Sequence, residues 1–198
     1  MKVSFQGVTG AYSSLAAKEL FPKAEYVGCE NFAAVLRSLE KDLADIAVIP
    51  VRNSTAGEVT DAVTLLREKD YAVLKTLWLP VRHCLLARSG VKLEDLRHVH
   101  SHWQALAQCQ ENTKKLSLIP VEESDTASAA RKISTLDDDT RAAIASHEAA
   151  KTYGLKILQE DFQDAEGNQT LFFAVTLGGA EESLGKAADM IDALPRLS

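Results

Sequence analysis

Ala44-Asp45-Ile46-Ala47-Val48-Ile49 runs directly into Pro50-Val51-Arg52-Asn53-Ser54-Thr55-Ala56-Gly57-Glu58-Val59. The first half is short and apolar, the pattern of a parallel strand buried on both faces. The second half turns polar just past Pro50. Open α/β sheets bind ligands beyond the carboxyl ends of their strands, which makes Arg52, Asn53, Ser54 and Thr55 candidate ligand contacts. A plain surface loop has the same composition, so this stretch alone leaves both readings open. A second junction of this kind is Asn168-Gln169-Thr170-Leu171-Phe172-Phe173, where the polar loop Gln163 to Gly167 gives way to an apolar run through Val175. A Thr placed there has a fixed backbone and a hydroxyl that can face a cleft as a weak acid or donor. Taken alone, it fits an ordinary β-branched residue at a strand start better.

The flanking sequence repeats the alternation. Lys2 to Phe5 reads as a strand, followed by a Gly- and hydroxyl-rich turn and a helix capped by Ser13 or Ser14. Such a turn can present N–H groups to an anion, but neither a P-loop nor a dinucleotide fingerprint is present. Tyr26 to Cys29 is a strand, and Asn31 caps a helix with Phe32, Val35, Leu36 and Leu39 at helical spacing. Val59 to Arg67 is a helix. Tyr71 to Leu79 and Val81 to Ala87 are strands joined at Pro80, an extended segment suited to carrying the chain into a second lobe. His83, between apolar neighbours, fits a satisfied core histidine better than a base. Leu96 to His100, Leu118 to Val121, Ala142 to Ala145 and Leu155 to Leu158 are further strands. Ser101-His102, Glu122 to Thr126, and Ser146 open helices, and Gly154 ends one. Leu184, Ala187, Ala188, Ile191 and Leu194 line one face of a final helix stopped by Pro195. Strands alternating with helices predict a largely parallel α/β architecture with helices on both sheet faces. Hydroxyl-rich turns after Ile49, His100 and Val121 are expected to converge on a cleft for a small oxygen-rich acid.

The 198 residues are 46% hydrophobic and 25% charged, as in a globular protein of one large domain or two small lobes. A net charge of −6 and no basic stripe argue against nucleic acid or an anionic membrane as partner. No apolar run approaches the roughly 20 residues of a spanning helix. Met1 to Phe5 enters a strand at once, unlike a signal peptide. Cys29, Cys84 and Cys109 are far apart and lack metal-ligand spacing, so they read as reduced thiols of a cytoplasmic protein.

These motifs, taken in order, are similar to those of the prephenate dehydratase family. The matching stretches are Phe5-Gln6-Gly7 with Gly10-Ala11-Tyr12-Ser13, Val48-Ile49-Pro50 with Asn53-Ser54, and Gly57-Glu58-Val59. They continue with Leu79 to Leu86, Ser101-His102 with Gln104 to Cys109, and Asp125-Thr126-Ala127. The last are Ala143 to Ser146, Tyr153-Gly154-Leu155, and Asn168 with Thr170 and Phe172. The resemblance implies a two-lobed, periplasmic-binding-protein-like α/β fold with a central cleft. One lobe would hold about residues 1–78 with the strand near 170–178, the other about 79–169, leaving 179–198 as a helical tail. It implies conversion of prephenate to phenylpyruvate with loss of water and carbon dioxide, without metal or organic cofactor, by a homodimer. Thr170 would assist departure of the ring hydroxyl; Asn53, Ser54, Arg52, Ser101, Gln104, Thr126 and Phe172 would contact substrate. Family members often carry a C-terminal ACT domain that binds phenylalanine, and about 25 residues beyond Thr170 are too few for one.

Three positions depart from the family. Arg52 stands where the family has glutamate, Trp103 where it has proline, and Leu171 where it has arginine. Arg52 is therefore expected either to anchor a substrate carboxylate or to be a neutral change on a rim. The departures also leave room for a non-aromatising decarboxylase, an arogenate dehydratase or a non-catalytic binding module.

Overall fold

The computed structural model describes residues 1–178 and 183–195. The chain divides into two compact units, one of Met1–Gly7, Tyr12–Pro80 and Asn168–Ser198, the other of Val8–Ala11 and Val81–Gly167.

The first unit is built on β1 (Lys2–Gln6), β2 (Glu25–Cys29), β3 (Ile46–Asn53), β4 (Gly57–Glu58), β5 (Tyr71–Pro80), β11 (Gln169–Leu177) and β12 (Gly185–Lys186). Their order in the sheet is β12-β5-β11-β3-β1-β2, with β4 on β3. Alternation along β3 and β11 explains why both read as unbroken apolar runs. Ala47, Ile49, Val51, Leu171, Phe173 and Val175 pack on one face, against α2 (Phe32–Glu40), α3 (Thr60–Arg67) and α8 (Ala187–Asp192). Ile46, Val48, Phe172 and Ala174 pack on the other, against α1 (Tyr12–Leu20). Asn31 caps α2 by accepting from the Ala34 N–H. Within the expected helical tail, Ala187 and Ile191 are buried with α3, and β12 pairs with β5.

The second unit has β6 (Cys84–Ala87), β7 (His98–Ser101), β8 (Ile119–Glu122), β9 (Arg141–Ala145) and β10 (Lys156–Gln159) in the order β10-β6-β9-β7-β8. α4 (Trp103–Gln108) and α5 (Gln110–Lys115) cover one face; α6 (Thr126–Thr135) and α7 (His147–Tyr153) cover the other with Ala129, Ala130, Ile133, Ala149 and Ala150. Ser146 caps α7 and also donates to the Gly10 carbonyl at 2.8 Å. Gly10 has φ +94°, and a Cβ there would lie 3.0 Å from the Ala149 Cα, so both conformation and space demand glycine.

Several expectations are corrected. The sheets are mixed, not mostly parallel: β1 pairs with β2 and β3 in parallel, but β11 is antiparallel to both β3 and β5. The chain leaves the first unit at the end of β5 and returns through β11, so these neighbours run in opposite directions as in a hairpin. β3 does not stop at Pro50. The β3–β11 register shifts between Leu171 and Phe172, and this bulge accommodates a residue with no N–H to donate. Helix α1 starts at Tyr12, so Ser13 and Ser14 lie inside it, buried, and neither is its cap. Val81 to His83 are not in a strand, and the helix after His102 breaks at Cys109.

Candidate active site

The end of β3 and the start of β11 lie side by side, with Asn53 opposite Thr170 and Arg52 opposite Leu171. Asn53 organises the junction. Its Oδ1 accepts from the backbone N–H groups of Thr55 (3.0 Å) and Ala56 (2.8 Å). Backbone N–H groups only donate, so the amide orientation is fixed and Nδ2 faces the other way. Nδ2 lies 2.7 Å from Asn168 Oδ1, 3.0 Å from Thr170 Oγ1 and 3.3 Å from the Gln169 carbonyl. Thr170 Oγ1 is therefore an acceptor from Asn53, and its own hydrogen must point elsewhere. Among the described residues it has no acceptor. Thr170 is 9% exposed, so its hydroxyl is held by packing as well as by the amide. Two bonds zip the loop to the strand: Ser54 N–H to the Gln169 carbonyl and Gln169 N–H to Ser54 Oγ, both 2.9 Å.

Such a neutral donor can protonate or hydrogen-bond an oxygen that is gaining negative charge, while the Asn53 amide stabilises the charge left on Oγ1. Sequence reasoning placed Thr55 in the candidate loop and Asn168 in a matching motif, but gave neither a partner. Their hydroxyl and amide touch at 2.8 Å behind Asn53, and only the pairing of β3 with β11 reveals it.

Two expected contacts are not with Thr170. Arg52 and Leu171 form the neighbouring rung, and successive strand residues face opposite sides. Leu171 is buried in the cluster beneath α2, α3 and α8, and the Arg52 guanidinium donates to the Pro195 carbonyl just beyond α8. The anchoring role expected of Arg52 is withdrawn on that ground. Phe172 is 1% exposed and packs with Val3, Phe5 and Leu79, so it is a core side chain rather than a substrate contact.

In the second unit Ser101 is buried and its hydroxyl donates to the Ile144 carbonyl at 2.6 Å, which spends its hydrogen on the sheet. The side chains of Gln104 and Thr126, half-buried at the starts of α4 and α6, make no bond among the described residues. Asp125 caps α6, accepting from Ser128 N–H at 2.8 Å. His83 is buried with Nε2 3.0 Å from Gln108 Oε1, and burial lowers its pKa, more than that bond raises it. His102 caps α4 through Nδ1, and burial lowers its pKa too. A further cluster escaped sequence reasoning: His100 lies between Glu123 (2.8 Å) and Arg141 (3.0 Å), and Glu123 also binds Lys132 at 2.6 Å. Among the described residues no three His, Cys, Asp or Glu side chains gather as metal ligands. No helix among them is long and apolar enough to cross a membrane.

Arogenate dehydratase/prephenate dehydratase 2, chloroplastic, of Arabidopsis thaliana is 44% identical over 172 residues, covering 87% of this chain and 45% of that protein. The chain thus spans less than half the length of that curated relative. A crystal structure of prephenate dehydratase from Arthrobacter aurescens in complex with L-Phe superposes with a TM-score of 0.84 at 26% identity, over 91% of this chain and 61% of that one. A structure titled GqqA, described as a novel type of quorum quenching acylase, gives 0.82 at 35% identity, over 91% of this chain and 65% of that one. The prephenate dehydratase family model matches residues 3–178, a span that includes both strands of the Asn53–Thr170 pair, and the chain belongs to that family.

Proposed function

We propose that this chain removes the ring hydroxyl and the ring carboxylate of prephenate, or of its amino counterpart arogenate, as a carbon–oxygen lyase that feeds phenylalanine synthesis. The observation that carries the reading is the Thr170 hydroxyl, which accepts from Asn53 and keeps its own hydrogen for a substrate. As the ring C–CO2 bond breaks, its electron pair enters the ring and expels the hydroxyl opposite. One proton joins that oxygen to give water, and carbon dioxide departs. Thr170 donates to the leaving oxygen, and solvent restores its proton. A threonine is a very weak acid, so the hydrogen bond to the developing hydroxide does most of the work, with Asn53 Nδ2 bracing Oγ1 from behind. Aromatisation supplies the driving force, so the protein orients and hydrogen-bonds rather than forming a covalent intermediate.

Gln104 and Thr126 are proposed as further substrate contacts, since their polar atoms make no bond among the described residues. Ser54 is kept as a proposed contact at the edge of the zipped loop. An acylase reading, prompted by the GqqA resemblance, needs a nucleophile beside a base. Among the described residues the only side chain bonded to Thr170 Oγ1 is an amide, which is no base. We further propose a reducing compartment such as the cytoplasm, supported by Cys29, Cys84 and Cys109 all being free thiols. A homodimer is proposed on the family resemblance alone, with sedimentation velocity as its check.

Purified protein is incubated with prephenate and, separately, with arogenate, and the product is identified by ultraviolet absorbance and chromatography. Phenylpyruvate or phenylalanine is the expected product. A decarboxylated but non-aromatic product, or binding without turnover, sinks the dehydratase reading.

A further inference from the structure

Thr55 belongs to the cluster, and no part of the reaction uses it. Its side chain is exposed, yet Oγ1 is 2.9 Å from Asn53 Oδ1 and 2.8 Å from Asn168 Oδ1. Both neighbours are side-chain carbonyl oxygens. The first is fixed as oxygen by the backbone donors at Thr55 and Ala56; the second is fixed because it must accept from Asn53 Nδ2. A single hydroxyl hydrogen therefore sits between two acceptors, and the Thr55 side chain bridges the loop asparagine and the strand-entry asparagine.

The consequence reaches Thr170 through hydrogen counting. Asn53 Nδ2 has two hydrogens and three acceptors within 3.3 Å. Asn168 Oδ1, the nearest, takes one hydrogen and leaves the other for Thr170 Oγ1. If Asn168 swings away, Asn53 can turn toward the Gln169 carbonyl and the Thr170 hydrogen loses its fixed direction. Thr55 holds Asn168 Oδ1 from the far side as well.

We propose that Thr55 is a positioning residue for Thr170, acting through Asn168 and Asn53 to aim the threonine hydrogen at the leaving oxygen. This rests on the dehydratase reading above. Thr55 itself touches no reacting atom, so its effect belongs in kcat rather than in KM.

The test compares Thr55→Val, which keeps the shape and removes the hydroxyl, with Thr55→Ser, which restores it. Turnover of prephenate and arogenate is measured beside hydrogen exchange of the Asn53 side-chain amide by NMR. Thr55→Val is expected to lower kcat by roughly three- to tenfold, the size of one neutral hydrogen bond, with KM within about twofold. Amide exchange at Asn53 accelerates in the same variant, and Thr55→Ser returns both values to near wild type. Unchanged kcat in Thr55→Val, a loss confined to KM, or a loss that serine does not restore overturns the proposal while leaving the dehydratase reading intact. If the wild-type protein turns over neither acid, the dehydratase reading fails by itself. The exchange measurement then still decides whether Thr55 holds the amides, and an unmoved Asn53 exchange rate overturns that as well.

Discussion

At the junction of β3 and β11 the side chains of Asn53, Thr55, Asn168 and Thr170 are all neutral, while beside β7 His100, Glu123, Lys132 and Arg141 form a charged cluster of similar size. The charged cluster is closed on itself. The Arg141 guanidinium can only donate, so His100 Nε2 accepts and Nδ1–H donates to Glu123, which leaves a neutral imidazole with both nitrogens used. In the neutral cluster the Thr170 hydroxyl hydrogen has no acceptor among the described residues. A buried polar network with every group satisfied holds a fold together, whereas a fixed donor without an acceptor is a group set aside for a ligand. Charge and perturbed titration, the usual markers of a site, point to the His100 cluster and away from the proposed one.

The sharpest way to break that contrast is Thr170→Val. Removing this donor is expected to cut kcat by roughly 10²–10⁴-fold, the usual contribution of a positioned acid. Stability should fall by only about 1 kcal/mol, since just the Asn53 bond is lost. Product formation and thermal unfolding read the two separately. Retained turnover in a folded Thr170→Val protein ends the assignment.

Acid should strike the other cluster. Burial, partly offset by Glu123, lowers the folded-state pKa of His100; burial does the same for His83 and His102, and all three lie in the second unit. For Glu123, burial acts upward but the bonds from Lys132 and His100 outweigh it, so its pKa is lowered and it stays ionised beside the imidazole. A histidine whose folded pKa lies below its unfolded value of about 6.5 binds more protons when unfolded. Its stability contribution is complete above pH ~6.5 and is lost as pH falls toward the folded pKa, by at most about 1.4 kcal/mol per pH unit per histidine. Denaturant unfolding at pH 7, 6 and 5 should show this decline, and His100→Asn should flatten it by one proton's share. An unaltered slope means that His100 is not held neutral in the folded protein.

How far the sequence discloses all this differs between the two clusters. The two α/β units, the Asn31, Asp125 and Ser146 caps and both sides of the Asn53–Thr170 pair are local patterns or sequence blocks, and they are legible. The antiparallel return of β11 is not, because an apolar run states burial and not direction. Ser101 shows a similar limit. Its place after a strand marks a polar turn, but only the neighbouring β9 shows its hydroxyl spent on Ile144. The His100 cluster joins residues from β7, the position just after β8, α6 and β9, separations over which no periodicity carries information.

Arg52 supplies the smallest and most discriminating test, because it sits one residue from Asn53 and yet on the opposite sheet face. Its guanidinium donates to the Pro195 carbonyl, its Nε is buried without a partner among the described residues, and its rung neighbour Leu171 is core. The Pro195 bond and the buried rung give this cation a structural use on the face away from Thr170. Arg52→Ala should then leave kcat and KM for prephenate within about twofold, because no bond to the reacting atoms is removed, and cost about 1 kcal/mol of stability through the lost carbonyl contact. Arg52→Glu should cost more stability than Arg52→Ala, since a carboxylate beside the Pro195 carbonyl has no hydrogen to donate. A tenfold rise in KM at unchanged unfolding temperature would return the guanidinium to the substrate, and the neighbouring Asn53–Thr170 rung would then share its work with a charge.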